Sequence, residues 1–139
     1  MKKTYKYSFE VRDYECDLTG VVNNANYLHY FEHARHKFLN EFGISFSDMY
    51  ENKGITLALK QVNIEFLKSL TNENKFYVSL SLHQESRLKF CFQEEIYLLP
   101  NEELIARGRF TCVAFITSTK KPCIPEEIKR LLLEQSTFN

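Results

Sequence analysis

The chain has 139 residues, 44% of them hydrophobic and 26% charged, and its 18 basic and 18 acidic side chains give a formal net charge of zero. This length and composition predict one globular domain, residues 1–139, that folds without needing disulfides or a metal. Zero net charge argues against a nucleic-acid partner, which needs clustered basic residues, and it does not oppose association with a second copy.

The first half of the chain is predicted to form a strand, a polar loop and a long helix. Residues 4–12 alternate as a strand, with one face made by Tyr5, Tyr7, Phe9 and Val11. Residues 24–42 carry apolar side chains at helical spacing, and this stripe consists of Tyr27, Tyr30, Phe31, Ala34, Phe38 and Phe42. Asn24 or Asn26 is the expected N-cap of this helix, and Gly43 its terminator.

The second half is predicted to be mostly extended. A helical turn over residues 46–52 precedes four long strands, over residues 55–69, 75–85, 89–99 and 103–118. In the first of these, Lys60 is expected on the same face as Val62, Ile64 and Phe66. A closing helix, PEEIKRLLLE, starts at Pro125. Consecutive strands suggest an antiparallel meander, and so apolar a helix must be wrapped by it, which predicts an α+β fold with an antiparallel sheet around one long central helix.

The N-terminus and the cysteines suggest a cytoplasmic protein. The lysines of MKKTYKYSFEV are not followed by an apolar run, so they do not form a signal peptide. No apolar run approaches the length of about 18 residues that suggests a membrane span, so no membrane partner is expected. The four cysteines, Cys16, Cys91, Cys112 and Cys123, have no metal-ligand spacing; two disulfides are conceivable, but reduced, mostly buried thiols are favoured.

The loop before the long helix is a candidate for acyl-transfer chemistry. The chain has only three aspartates, and two of them, Asp13 and Asp17, lie in this loop. A carboxylate that turns back onto a helix N-terminus lies beside free backbone amides, which can stabilise an oxyanion. A carboxylate and an oxyanion donor together form a minimal acyl-transfer site. On spacing alone, the alternative that both aspartates only form Asx-turns carries more weight.

Three other patterns are weaker. His29, His33 and His36 lie along one side of the helix, but its rise separates the first from the last by about 10 Å, so a solvated or subunit-facing stripe is favoured over a metal site. Cys16 has no readable base beside it and is not expected to be a nucleophile. The basic residues at strand ends could bind phosphates or could simply be solvated; they are Lys60, Arg87, Lys89, Arg107, Arg109, Lys120 and Lys121.

The block YECDLTGVVNNANYLHYFEHAR, residues 14–35, resembles the signature of hotdog-fold acyl-CoA thioesterases of the 4-hydroxybenzoyl-CoA thioesterase type. The matching positions are Asp17, Gly20, Val21, Val22, Asn26 and Tyr27. The closing stretch TSTKKPCIPEEIKRLL is similar to that family's last strand, turn and helix. Many relatives carry an aromatic–histidine pair where this chain has Asn23 and Asn24, and the form VNNANY looks more like relatives that act on fatty acyl thioesters.

The resemblance implies a hotdog-fold thioesterase without a cofactor or metal. It implies that Asp17 acts as general base or nucleophile, and that the amide near Asn24 polarises the thioester carbonyl. The full set of implied catalytic residues is Asp17, Asn24 and Tyr27. The residues implied to bind substrate are Gly20, Val22, Asn23, Asn26, Arg87, Lys89, Lys120 and Lys121.

The resemblance also implies a homodimer or a dimer of dimers, with the acyl pocket between two subunits. The stripe of His29, His33 and His36 is a candidate second contact surface. The carrier could be coenzyme A or acyl carrier protein. The rival interpretations are a non-catalytic acyl-binding domain and, less favoured, a dehydratase, which would want a histidine base in the motif.

Overall fold

The computed structural model describes residues 3–136. In chain order, the strands and helices are β1 (Tyr5–Glu10), α1 (Asn24–Glu41), α2 (Phe46–Lys53), β2 (Ile55–Phe66), β3 (Lys75–Ser86), β4 (Lys89–Leu98), β5 (Glu103–Ile116), β6 (Pro122–Cys123) and α3 (Glu126–Ser136). Most bounds fall within one to three residues of those predicted. The two-residue strand β6 was not predicted, because so short a segment has no periodicity.

Helix α1 begins at Asn24, which is one residue earlier than a helix capped by Asn24 would begin. Asn23 is the N-cap, and its side-chain oxygen accepts a hydrogen bond from the backbone N–H of Ala25 at 2.9 Å. The prediction of Asn24 or Asn26 as the cap is therefore wrong. The helix ends at Glu41, and Gly43 follows with a φ of +75°, a conformation that glycine adopts without strain.

The sheet is antiparallel and wraps the apolar side of α1. Ring contacts join the helix to three strands: Tyr30 to Phe76 of β3 at 4.7 Å, Phe38 to Phe92 of β4 at 6.0 Å, and Phe31 to Phe110 of β5 at 5.0 Å. The buried side chains of α1 are Tyr27, Tyr30, Phe31, Ala34, Arg35, Phe38 and Leu39. The predicted α+β fold, a sheet around one long helix, is confirmed.

The strands do not form a simple meander. Their order across the sheet is β1-β3-β4-β5-β2, with β6 paired to the end of β5. Strands β3, β4 and β5 follow one another as predicted, but β2 pairs with β5 instead of β3. The chain therefore crosses from one side of the sheet to the other between Phe66 and Lys75. In that crossing segment Leu70 is fully buried, beneath the start of α1.

Strand β2 lies at an edge of the sheet and contains an irregularity. Its pairing with β5 shifts between Leu59 and Gln61, so Lys60 falls in a bulge and has no paired residue. The predicted alternation through Lys60 is interrupted there. Within residues 3–136, no helix is both long and apolar enough to cross a membrane.

A buried ion pair joins α1 to the sheet. The guanidinium of Arg35 donates to a carboxylate oxygen of Glu94 on β4 at 2.8 Å, and the two side chains are only 9% and 0% exposed. Arg35 also lies over the ring of Phe110 at 4.2 Å. Burial raises the pKa of Glu94 above its ordinary value, and the neighbouring Arg35 opposes this shift. The second oxygen of Glu94 has no hydrogen-bond partner among the described residues.

We predict that Arg35→Ala destabilises the fold by about 3–5 kcal/mol, because it leaves the buried carboxyl group of Glu94 without its partner. The control is Arg109→Ala, which breaks an exposed pair with Glu85 and should cost about 0–1 kcal/mol. Urea unfolding of both variants measures the difference. Equal losses would contradict a special role for the buried pair.

Candidate active site

The loop before α1 is compact and internally bonded. A short 3-10 turn over Asp13–Glu15 leads into it, and Cys16 then pairs with Val22 in an isolated antiparallel bridge. Inside that bridge the amide of Asp17 donates to the carbonyl of Val21 at 2.8 Å. Gly20 has a φ of +86°, which explains a glycine at this turn. The backbone between Cys16 and Val22 therefore reverses direction, and Asp17 lies in the first half of this turn.

The loop is attached both to α1 and to the crossing segment. On the α1 side, the carbonyl of Glu15 accepts from the amide of Asn23 at 2.9 Å and from the side-chain amide of Asn26 at 2.7 Å. On the other side, the amide of Val22 donates to the carbonyl of Leu70. The amide of Leu70 in turn donates to the hydroxyl of Tyr27 at 2.9 Å. The loop is thus fixed against the first turn of the helix.

The carboxylate of Asp17 is open to solvent. One of its oxygens accepts from the hydroxyl of Thr19 at 2.5 Å and from the amide of Thr19 at 2.8 Å. These two hydrogen bonds hold the pKa of Asp17 below its ordinary value, so the group is ionised at neutral pH. Exclusion of water would strengthen such a base, but in the single chain Asp17 is exposed.

The first amide of α1 provides a hydrogen-bond donor at the same end of the molecule. Asn24 is the first helical residue, and across residues 3–136 its amide donates to no protein group. The next two amides, of Ala25 and Asn26, are bonded to the side chain and carbonyl of Asn23. The Asn24 amide therefore lies free at the positive end of the helix dipole, where it can bind a developing oxyanion.

The other motif residues cluster around this junction. Gly20 and Asn23 shape the loop and the cap, and Asn26 bonds to Glu15. Val22 and Tyr27 are each 2% exposed, and both belong to the hydrophobic core. The motif residues from Asp17 to Tyr27 are therefore brought together by the fold.

The predicted phosphate-binding residues lie elsewhere in the chain. Arg87 is in the β3–β4 turn, Lys89 opens β4, and Lys120 and Lys121 lie between β5 and β6. These turns share one end of the sheet, because Lys89 pairs with Val113 near the end of β5. The Asp17 loop contacts the segment before β3, at the opposite end. A twelve-residue strand separates the two ends by about 35 Å, so no single chain unites these basic residues with its own Asp17.

In the stripe of His29, His33 and His36, the last two histidines pack against different elements. His33 packs on Phe9 of β1 at 4.9 Å, whereas His36 packs on Phe46 of α2 at 4.9 Å. Across the described part of the chain, no group of three or more histidine, cysteine, aspartate or glutamate side chains could hold a metal ion. Cys16 and the other three cysteines, all within that part, are free thiols, and two of them, Cys91 and Cys112, are buried.

Sequence reasoning missed Glu15 and Leu70, which fix the loop in place. Glu15 lies two residues before Asp17, and its acidic side chain alone gives no indication that it reaches α1. Leu70 lies in a segment without periodicity, so nothing local marks it as buried beneath the helix. The contacts of both residues depend on the packing of segments that are distant in sequence.

Comparison with known proteins identifies the family. A family model described as the thioesterase-like superfamily matches residues 11–132. The chain belongs to this superfamily. A chloroplastic acyl-acyl carrier protein thioesterase of Arabidopsis thaliana is 34% identical over 129 residues, which are 93% of this chain and 67% of the plant protein. A putative esterase of Aquifex aeolicus is 32% identical over 126 residues, or 91% of this chain and 95% of that protein.

The structural comparison agrees with the family. The crystal structure of a 1,4-dihydroxy-2-naphthoyl-CoA thioesterase from Synechocystis superimposes with a TM-score of 0.91 at 21% identity, covering 96% of this chain and 98% of that one. At this identity the likeness establishes the fold. The predicted hotdog thioesterase fold is confirmed, and the protein is a thioester hydrolase of this superfamily. The chain spans about two thirds of the length of the plant relative.

We predict that Thr19→Val raises the pKa of Asp17 towards its ordinary value. The substitution removes the hydroxyl donor but keeps the backbone N–H, so part of the lowering remains. An NMR titration of the Asp17 carboxyl carbon measures the change. Thr56→Val is the control, because the Thr56 hydroxyl bonds to Thr117 and not to a carboxylate. An Asp17 pKa that stays the same in Thr19→Val would contradict this assignment.

Proposed function

We propose that the protein hydrolyses fatty acyl thioesters to the free acid and thiol at the Asp17 loop. The observation that carries the proposal is the attachment of this loop to the first turn of α1, where the Asn24 amide has no acceptor among residues 3–136. The thioester carbonyl oxygen would accept from that amide, and negative charge developing on the oxygen would be stabilised there. Tyr27 would hold the first turn of α1 in place by accepting the hydrogen bond from the Leu70 amide.

Asp17 has two routes open to it. As general base, its carboxylate takes a proton from a water molecule while the water oxygen bonds to the carbonyl carbon and the carbon–sulfur bond breaks. As nucleophile, a carboxylate oxygen bonds to that carbon and expels the thiolate, and water then cleaves the resulting anhydride. The lowered pKa makes Asp17 a weaker base in the exposed loop, so either route gains from a cover that excludes water.

The surface beside α1 favours a long apolar acyl group. Leu28 of α1 and Val62 and Phe66 of β2 are 40%, 40% and 48% exposed. The ring of Phe66 contacts the ring of Tyr27 at 5.4 Å, which places these exposed side chains near the beginning of α1. Apolar side chains left exposed side by side are typical of a surface that binds an apolar partner or ligand.

A cavity lies further along α1, between the helix and the sheet. Its volume is about 320 Å³, and its apolar lining is Leu39, Phe46, Leu57, Leu59, Phe90 and Phe92. The helical residues at its wall are Glu32, Arg35, His36 and Leu39, which come 8 to 15 positions after Asn24, or roughly 12–22 Å along the helix. An extended fatty acyl chain has this reach, whereas a compact aromatic acyl group would occupy only the part near Asp17.

The carrier is proposed to be coenzyme A, with acyl carrier protein as the alternative that the plant relative favours. Arg87, Lys89, Lys120 and Lys121 are proposed to contact the phosphates of coenzyme A. The four free thiols fit a location in the reducing cytoplasm, which we also propose.

A homodimer is proposed as the minimal active unit, and two such dimers can pair into a tetramer. Strand β2 has a free edge along twelve residues, and such an edge can pair with a second copy. In a two-fold antiparallel pairing, the Ile55 end of one β2 lies beside the Phe66 end of the other. The turn carrying Lys120 and Lys121 adjoins that Ile55 end, because the amide of Thr117 donates to Gly54. The partner's basic turn would then approach Asp17.

Asp17→Asn tests the proposed activity. It should preserve the fold and lower kcat about a hundredfold or more, the scale on which a general base contributes. Asp13→Asn is the control and should change kcat little, because within the described part of the chain the Asp13 side chain accepts a hydrogen bond from the amide of Tyr14 alone. Turnover is measured on acyl-CoA and acyl carrier protein thioesters across chain lengths. Near-normal turnover by Asp17→Asn on the best substrate would rule out the assignment.

Hybrid dimers test the shared site. Lys120→Ala with Lys121→Ala should raise KM for acyl-CoA and leave kcat nearly intact. Hybrids of this variant with Asp17→Asn should regain a low KM at about half of the wild-type kcat, because one of the two sites combines an intact Asp17 with an intact partner turn. A short thiol carrier without the nucleotide is the control and should show no KM change. Hybrids that retain the high KM, or a fully active monomer by light scattering, would contradict the model.

A further inference from the structure

Glu15 accepts four hydrogen bonds, and three of them tie the Asp17 loop to α1 and its N-cap. One oxygen of its carboxylate accepts from the amide of Arg12 at 2.7 Å and from the hydroxyl of Tyr30 at 2.8 Å. Its carbonyl accepts from Asn23 and Asn26. The bond to Tyr30 is the only one of the four that reaches the buried side of the helix.

Tyr30 is a rigid donor for this bond. The residue is 5% exposed, and its ring contacts Tyr27 at 6.0 Å and Phe76 at 4.7 Å. Burial raises the pKa of Tyr30, and the hydrogen bond to Glu15 raises it further, so the hydroxyl keeps its proton. Since the ring cannot move without disturbing the core, the hydroxyl fixes the place of the Glu15 carboxylate.

The position of Asp17 depends on this attachment. Among the described residues, the hydrogen-bond partners of the Asp17 side chain are Thr19 and the backbone of Val21, both inside the same loop. No contact of its own holds the carboxylate at the helix N-terminus, so its distance from the Asn24 amide is set by the backbone. That backbone is fixed at Glu15 on one side and at Val22 on the other.

We propose that Glu15 and Tyr30 form a positioning pair that holds the Asp17 loop in its reactive place at the start of α1. The inference rests on the proposed function, since it takes Asp17 as the reacting carboxylate. Neither residue exchanges a proton with the substrate. Loss of their bond lowers the fraction of time in which Asp17 and the Asn24 amide face the same carbonyl group, which lowers kcat and leaves substrate binding nearly unchanged.

The chain contains a matched control. The hydroxyl of Tyr7 donates to a carboxylate oxygen of Glu41 at 2.8 Å, the same kind of tyrosine–glutamate bond to α1. Glu41 is the last residue of the helix, and Tyr7 lies on β1, so this bond is far from the Asp17 loop. Tyr7→Phe and Tyr30→Phe therefore each remove a tyrosine hydroxyl that donates to a glutamate, and the two bonds lie towards opposite ends of α1.

The experiment compares steady-state kinetics of these two variants on the best thioester substrate. Tyr30→Phe should lower kcat by about 10- to 100-fold, the cost of a small misplacement of reacting groups, with KM nearly unchanged. Tyr7→Phe should keep the wild-type kcat. Hydrogen exchange followed by mass spectrometry should be faster for the amides of residues 16–22 in Tyr30→Phe only. Wild-type kcat in Tyr30→Phe, or equal losses in the two variants, would overturn the proposal.

Two variants of Glu15 separate positioning from catalysis. Glu15→Gln keeps an oxygen that can accept from both Arg12 and Tyr30, so it should retain most of the wild-type kcat and the same acidic limb of the pH profile. Glu15→Ala should lose at least as much kcat as Tyr30→Phe, because it removes the Arg12 bond as well as the Tyr30 bond. The double variant should lose no more than Glu15→Ala alone, because the bond between the two side chains is already absent there. Loss in Glu15→Gln as deep as in Asp17→Asn, or multiplied losses in the double variant, would overturn the positioning role. These variants also decide the question if Tyr30→Phe fails to fold.

Asp17→Asn, run beside them, separates this inference from the proposed function. An inactive Asp17→Asn with an unaffected Tyr30→Phe would overturn the positioning role alone. Full activity in Asp17→Asn would overturn the proposed function, and the positioning role with it.

Discussion

Helix α1 can bury its apolar side only inside the curve of the sheet, and this burial determines where its first turn lies. The contact of Tyr27 with Phe66 and its bond to Leu70 fix that turn at the end of the sheet where β2 gives way to the crossing segment. The helix dipole concentrates positive potential there. A loop that carries a carboxylate can therefore meet a free amide only at this end.

The chemistry and the assembly are linked by what the single chain leaves exposed. Asp17 is open to water, the apolar side chains beside α1 are partly uncovered, and the basic turns lie about 35 Å from Asp17 at the other end of the sheet. A carboxylate reacts better when water is excluded, and phosphates need cations nearby. Antiparallel pairing of two β2 edges would exclude water from Asp17, cover the apolar side chains and bring cations to the site, because the partner adds a wall and a basic turn to each site.

The sequence predicted those features that local patterns encode. The helical stripe, the long strands and the loop motif all follow from periodicity or from the order of residues within some twenty positions. Local patterns do not show which strands pair, so the crossing between β2 and β3 was missed, and with it the burial of Leu70. Arg35 and Glu15 were missed for the same reason, since their partners, Glu94 and Tyr30, are decided by packing. The bulge at Lys60 breaks an alternation that the sequence displays without interruption.

The central claim is that a thioester carbonyl is held between Asp17 and the Asn24 amide. A crystal structure with a non-hydrolysable ketone analogue of a long-chain acyl-CoA, in which a methylene replaces the thioester sulfur, tests it most directly. We expect the ketone oxygen about 3 Å from the Asn24 nitrogen, with the Asp17 carboxylate facing the carbonyl carbon directly or through one water. An analogue bound with its ketone away from both groups would contradict the account.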